Sequence, residues 1–139
     1  MVTSDQYLFT STMFPIERGE ESETNPECYG KSLAAWMSQK LTASSVSINE
    51  EVIAEDWGWL VMVQRKPFRL WVGCGTQKGD DYRHIPNNWV VFIAAEPNFL
   101  QKLFNQKDVH CSLNKLTVSV EEILKSNSEI IDLRVEPAP

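Results

Sequence analysis

Cysteine is scarce in this chain: Cys28, Cys74 and Cys111 are the only three among 139 residues, an odd number set far apart. That excludes a paired disulfide framework as the source of stability and points to a reducing compartment. Basic residues are also few. Thirteen Lys and Arg stand against nineteen Asp and Glu, giving a formal net charge of -6. Such a balance argues against a nucleic-acid backbone as partner and favours solubility or a basic protein partner. The opening stretch MVTSDQYLFTSTMF has no basic lead and no long apolar run. Neither a signal peptide nor a membrane span is expected, and the expected location is the cytoplasm. CxxC and HxxxH spacings are missing around Cys28, Cys74, His84, His110 and Cys111, so no metal is expected. GCGTQKG lacks the order of a phosphate-binding loop, and no cofactor is expected. Repeats and low-complexity tracts are absent.

What is present centres on Glu55–Gly75, which holds three of the five tryptophans. Trp57, Trp59, Val61 and Val63 alternate with Gly58, Leu60, Met62 and Gln64, a strand apolar on both sides. Arg65–Phe68 break the run with a proline that cannot donate to a ladder. If those residues turn the chain, Gln64 faces Arg69, and Leu70, Val72 and Cys74 share a face with Trp57, Trp59 and Val61. Gly58, Gly73 and Gly75 leave the opposite face shallow, from packing or a bulge, or as a slot for a ligand or partner.

Around this hairpin, Tyr7–Phe14 reads as an edge strand. Thr24 or Asn25 can cap a helix with Pro26 in its first turn, Glu27 facing the positive end of its dipole, and Tyr29, Leu33, Trp36, Met37 and Leu41 on one face. Ser44–Ala54 reads as one strand or an irregular approach, and Trp89–Ala95 as a third apolar strand. Pro97 starts a short helix bearing Phe99–Phe104. The spacing of Ser119 and Glu122 predicts a capping box for another short helix. Glu129–Val135 reads as a last strand, with Ile130 and Leu133 or Ile131 and Val135 inward. The expected architecture is a single α+β domain over 1–139: a mainly antiparallel sheet of about five strands, packed by an N-terminal amphipathic helix and two short C-terminal helices. Residues 15–25 form an acidic loop, 76–88 a long polar loop and 136–139 a tail.

The segments ESETNPECYGKSLAAW, EDWGW, WVGCG and AAEP together resemble a group of small bacterial proteins with no assigned activity. The resemblance covers most of the chain and implies a bacterial, cytoplasmic origin. It carries no catalytic residue across.

Two functions compete. One is a non-enzymatic binding protein, such as an immunity or inhibitor protein that neutralises a basic toxin. Its expected surface joins Glu20, Glu21 and Glu23 to Glu55, Asp56, Asp80, Asp81, Tyr82, Arg83 and His84. The other is a small hydrolase or transferase at the loop end of the sheet, where Asp56, Cys74 and His84 would supply carboxylate, nucleophile and base. Mutual hydrogen-bond reach of those three in a cleft favours the enzyme; their dispersion favours the binder.

Overall fold

Strands apolar on both sides need cover on both faces, and the hairpin lies at the centre of an antiparallel sheet. The computed structural model describes residues 1–77, 87–97 and 106–138. In it β4 (Gly58–Gln64) pairs with β5 (Arg69–Thr76), setting Trp59 opposite Cys74, Leu60 opposite Gly73, Val61 opposite Val72 and Met62 opposite Trp71. The register shifts beyond Met62, so that Gln64 meets Leu70 instead of Arg69. β6 (Asn88–Glu96) flanks β5, and its far edge is shared by β1 (Val2–Thr3) and β2 (Gln6–Thr10). Ser4 separates β1 from β2 while keeping the ladder satisfied: its N–H donates to the Ile93 carbonyl at 2.8 Å, and its hydroxyl accepts the Ile93 N–H at 2.9 Å. β3 (Ile53–Glu55) and β7 (Ile131–Glu136) are the outer strands of the order β3-β4-β5-β6-β2-β7.

The described residues thus hold a seven-stranded, mostly antiparallel sheet and two α-helices, which corrects the expectation of about five strands and three helices. β1 and β3, at two and three residues, are too short to show a period. The two short C-terminal helices are also corrected. The one expected from Pro97 lies on residues 98–105, outside the described residues. Beyond it runs one long helix, α2 (Gln106–Lys125), which takes in Ser119 and Glu122 as interior positions. The β-branched residues Thr117, Val118 and Val120 hide this helix from propensity. Inside it the hydroxyls bond back one turn, Thr117 Oγ1 donating to the Leu113 carbonyl at 2.7 Å and Ser119 Oγ to that of Lys115 at 3.3 Å.

α1 (Lys31–Ala43) begins later than its sequence suggests. Pro26 and Glu27 occupy a turn in which Cys28 N–H donates to the Asn25 carbonyl and Glu27 adopts φ 66°. Gly30 caps the helix because nothing larger fits: a Cβ there would stand 2.5 Å from the Cys74 carbonyl oxygen. The helix ends with Ser45 at φ 69° and Val46 N–H donating to the Leu41 carbonyl at 2.9 Å, a left-handed C-terminal stop.

Both helices cover one face of the sheet. Leu33, Ala34, Met37 and Leu41 of α1, with Val109, Leu113, Leu116, Val120, Ile123 and Leu124 of α2, pack on Phe9, Trp59, Val61, Val72, Cys74, Trp89, Val91 and Ile93. Of the two expected arrangements of the last strand, Ile130 and Leu133 turn to this core, while Ile131 and Val135 are exposed. Trp57 departs from the expected face. It sits in the two-residue connection between β3 and β4, where Glu55 pairs with Gly58, so the alternation of β4 does not extend to it. Its ring lies on the opposite face, with Leu60, Met62, Trp71, Phe92 and Ala94.

Candidate functional site

Four segments meet at the end of the sheet where β5 runs out. They are the acidic loop ahead of α1, the first turn of α1, the β3–β4 connection, and Cys74–Thr76. Asn25 Nδ2 donates to the Asp56 carbonyl at 2.9 Å, and Thr76 Oγ1 donates to the Glu27 carbonyl at 3.0 Å. These two bonds tie the acidic loop to the sheet end, so Glu17–Glu27 and Glu55–Asp56 form one continuous surface.

The carboxylates of the loop are not equivalent. Glu20 lies in a short 3-10 turn, Glu20–Ser22, and is only 2% exposed. Its Oε2 accepts the N–H groups of Gly30 at 2.8 Å and Lys31 at 2.9 Å, while Oε1 accepts that of Glu17 at 3.1 Å. The Gly30 and Lys31 groups are orphan donors of a helix N-terminus, where a carboxylate is favoured. Glu20 therefore belongs to the interior and is withdrawn from the expected binding strip. Glu21 accepts the Glu27 N–H and the Tyr29 hydroxyl, each at 2.8 Å. Those bonds, in that order, hold its carboxyl below the usual range, and the Glu21 partner pushes the Tyr29 phenol up to about 12. Glu17 and Glu23 flank Lys31 at 3.0 and 4.0 Å. The Lys31 ammonium also lies 5.1 Å from the centroid of the Trp59 ring, capping a tryptophan whose Nε1–H has no acceptor among the described residues. Asp56 is exposed.

Asp80, Asp81, Tyr82, Arg83 and His84 lie outside the described residues. Cys74 is fully buried on the helix-covered face, and burial alone pushes its thiol well above the ordinary value. It packs as a small hydrophobe there, away from the exposed Asp56 carboxylate. Among the described residues no cluster of His, Cys, Asp and Glu could hold a metal ion, and no helix is long and apolar enough to cross a membrane.

The glycine-lined side of the hairpin is filled by the chain's own rings. A Cβ on Gly73 would stand 2.6 Å from Phe92 Cζ and 2.9 Å from Trp57 Cη2. The slot that the glycines suggested is thus a seat for Trp57 and Phe92. Extending the strand period through Trp57 puts it on the wrong face, because the β3–β4 turn interrupts that period. The signal that would have placed it is the turn-forming Asp56-Trp57-Gly58 sequence. Nothing in the local pattern could have found Glu20, whose helix starts eleven positions further on.

Fold and site together define an α+β domain with a sheet layered by helices on one face and an acidic rim at one end. The chain matches no protein-family model, no curated protein and no solved structure.

Proposed function

We propose that the protein is a non-enzymatic binding protein of the bacterial cytoplasm that captures a basic protein partner, in the manner of an immunity or inhibitor protein neutralising a toxin. The observation that supports it is the Asn25–Asp56 hydrogen bond. It gathers Glu17, Glu21, Glu23, Glu27, Glu55 and Asp56 on one surface, where Arg18 and Lys31 are the cations supplied by the same stretches. A surface of one sign steers an oppositely charged partner and raises its association rate, an effect screened over about 10 Å at 0.1 M salt. Lys31, held between Glu17 and Glu23, offsets only part of that charge. The hydrolase or transferase alternative has less to stand on, because its nucleophile would be the buried Cys74 with its raised thiol pKa.

Glu21→Lys with Glu23→Lys, and separately Asp56→Lys, are expected to slow association with the natural partner by about tenfold at low salt, with the difference shrinking as salt is added. Stopped-flow association of the purified pair across a salt series measures this. Parent-like rates for both variants at every salt concentration would remove the acidic surface from recognition. Glu20 is left unchanged in these variants because its charge is spent inside the fold.

A further inference from the structure

The sheet has a second face. α1 and α2 both pack on the first, and among the described residues the cluster on the other is made of sheet and turn residues, Leu60, Met62, Trp71 and Ala94 with Ile53, Trp57 and Phe92 against them. Leu60, Met62, Trp71 and Ala94 are buried, whereas Trp57 and Phe92 are partly buried. Trp57 stacks on Trp71 at 5.7 Å and 20°, and its ring centroid is 5.2 Å from that of Phe92. Gly73 lets both rings lie directly on the backbone of β5. The Trp71 indole is itself fixed, its Nε1–H donating to Glu96 Oε2 at 3.0 Å. The result is an aromatic platform of Trp57, Trp71 and Phe92, in which Trp57 directly follows Asp56 in the chain. Glu55 shares its face through the pairing with Gly58.

We propose that Trp57 is the anchor at which the partner is gripped: an arginine or lysine side chain of a basic protein lies over the Trp57 ring, its charge facing Glu55 and Asp56. This rests on the acidic-surface reading above and extends it from steering to a specific contact. Indole is the strongest of the aromatic acceptors for a cation, and flanking carboxylates complete the attraction. A second copy of this chain fits less well, because apposing two such faces about Trp57 sets Glu55 and Asp56 against the same carboxylates of the other copy, while Glu96 is already paired with Arg69 at 3.4 Å. An uncharged apolar partner would desolvate those carboxylates with nothing to pair them.

The test follows the tryptophan indole N–H resonances while the protein is titrated with an oligo-arginine peptide, with an oligo-glutamate peptide as control. Oligo-arginine is expected to move the Trp57 indole resonance and leave that of buried Trp59 in place. Trp57→Leu is expected to weaken binding roughly 3- to 20-fold, and Trp57→Phe by less. If Trp57→Leu does not fold, the parent spectrum and the Trp57→Phe affinity decide. Binding that shifts the amides of Glu21 and Glu23 but not the Trp57 indole, at an affinity that Trp57→Phe or Trp57→Leu leaves unchanged, would overturn the anchor while leaving the acidic-surface reading intact. The absence of any shift would overturn both. Concentration-dependent self-association that Trp57→Leu abolishes would assign the face to a second copy and overturn the proposal.

Discussion

Tyr29 and Glu21 show how a residue in a charged loop becomes structural. The phenol donates to a carboxylate that already accepts a backbone N–H, so each partner favours the other's protonated-donor and ionised-acceptor form. The signs run in opposite directions along pH. For Glu21, whose folded pKa is lowered from 4.5, the contribution is present above that value and is lost as pH falls through the lower folded pKa. For Tyr29, raised from 10.0 to about 12, the contribution is present below pH 10 and is lost as pH rises through about 12. Glu21→Gln removes the first-ranked cause of the Tyr29 shift. The phenol is therefore expected to titrate back toward 10, read by ultraviolet difference absorbance. A Tyr29 midpoint that stays near 12 in this variant would show that the loop, and not the carboxylate, raises it.

At the scale of elements, α1 depends on a group far from its own sequence. A local cap would sit at Thr24 or Asn25, and the chain uses neither. Gly30 must pass the Cys74 carbonyl without a side chain, and glycine offers no capping oxygen, so the buried Glu20 carboxylate supplies it. Glu20→Ala leaves those backbone donors without an acceptor in the interior and is expected to cost about 2–3 kcal/mol of unfolding free energy. Glu20→Gln, which keeps one carbonyl oxygen, should cost less. Equilibrium urea unfolding of the two variants measures the difference, and a Glu20→Ala midpoint equal to the parent's would mean the helix start does not rely on the cap. The same two helices mark how far local sequence reaches. The apolar spacing of Leu33, Met37 and Leu41 identified α1, since period and propensity agree there. For α2 they conflict. Thr117, Val118 and Val120 favour strands by propensity, while Val109, Leu113, Leu116, Val120 and Ile123 repeat at helical spacing and are all buried, so burial on the sheet decides the outcome. The cap donor of α1 and the length of α2 are both tertiary facts.

Across the whole molecule the sheet divides the tryptophans by task. Trp59 and Trp89 turn to the helices, Trp89 donating its Nε1–H to the Ser11 carbonyl at 3.0 Å, and Trp36, on α1, packs against the same core and meets Phe14 at 5.3 Å. Trp57 and Trp71 turn to the other face. The central register was legible because the break at Arg65–Phe68 fixes which residues of β4 and β5 face each other, as loop length does in any hairpin. The division of Trp57 from Trp59 was not, since a two-residue turn resets the alternation that the sequence displays without a break. The consequence is measurable. Trp59 is 3% exposed and is covered by the start of α1 through Lys31, so truncation opens a cavity between the layers. Trp59→Ala is expected to cost about 3–5 kcal/mol, somewhat reduced because the indole Nε1–H it removes has no acceptor among the described residues. The partly buried Trp57 covers the sheet from outside, where truncation admits water instead of leaving a void, and Trp57→Ala should cost less. Both variants can be compared by guanidinium unfolding followed by far-ultraviolet circular dichroism, which reports the whole fold and not the altered chromophore. Equal losses from the two substitutions would mean that the outer platform is as much a core as the helix-covered face, and the assignment of Trp57 to binding would lose its structural basis.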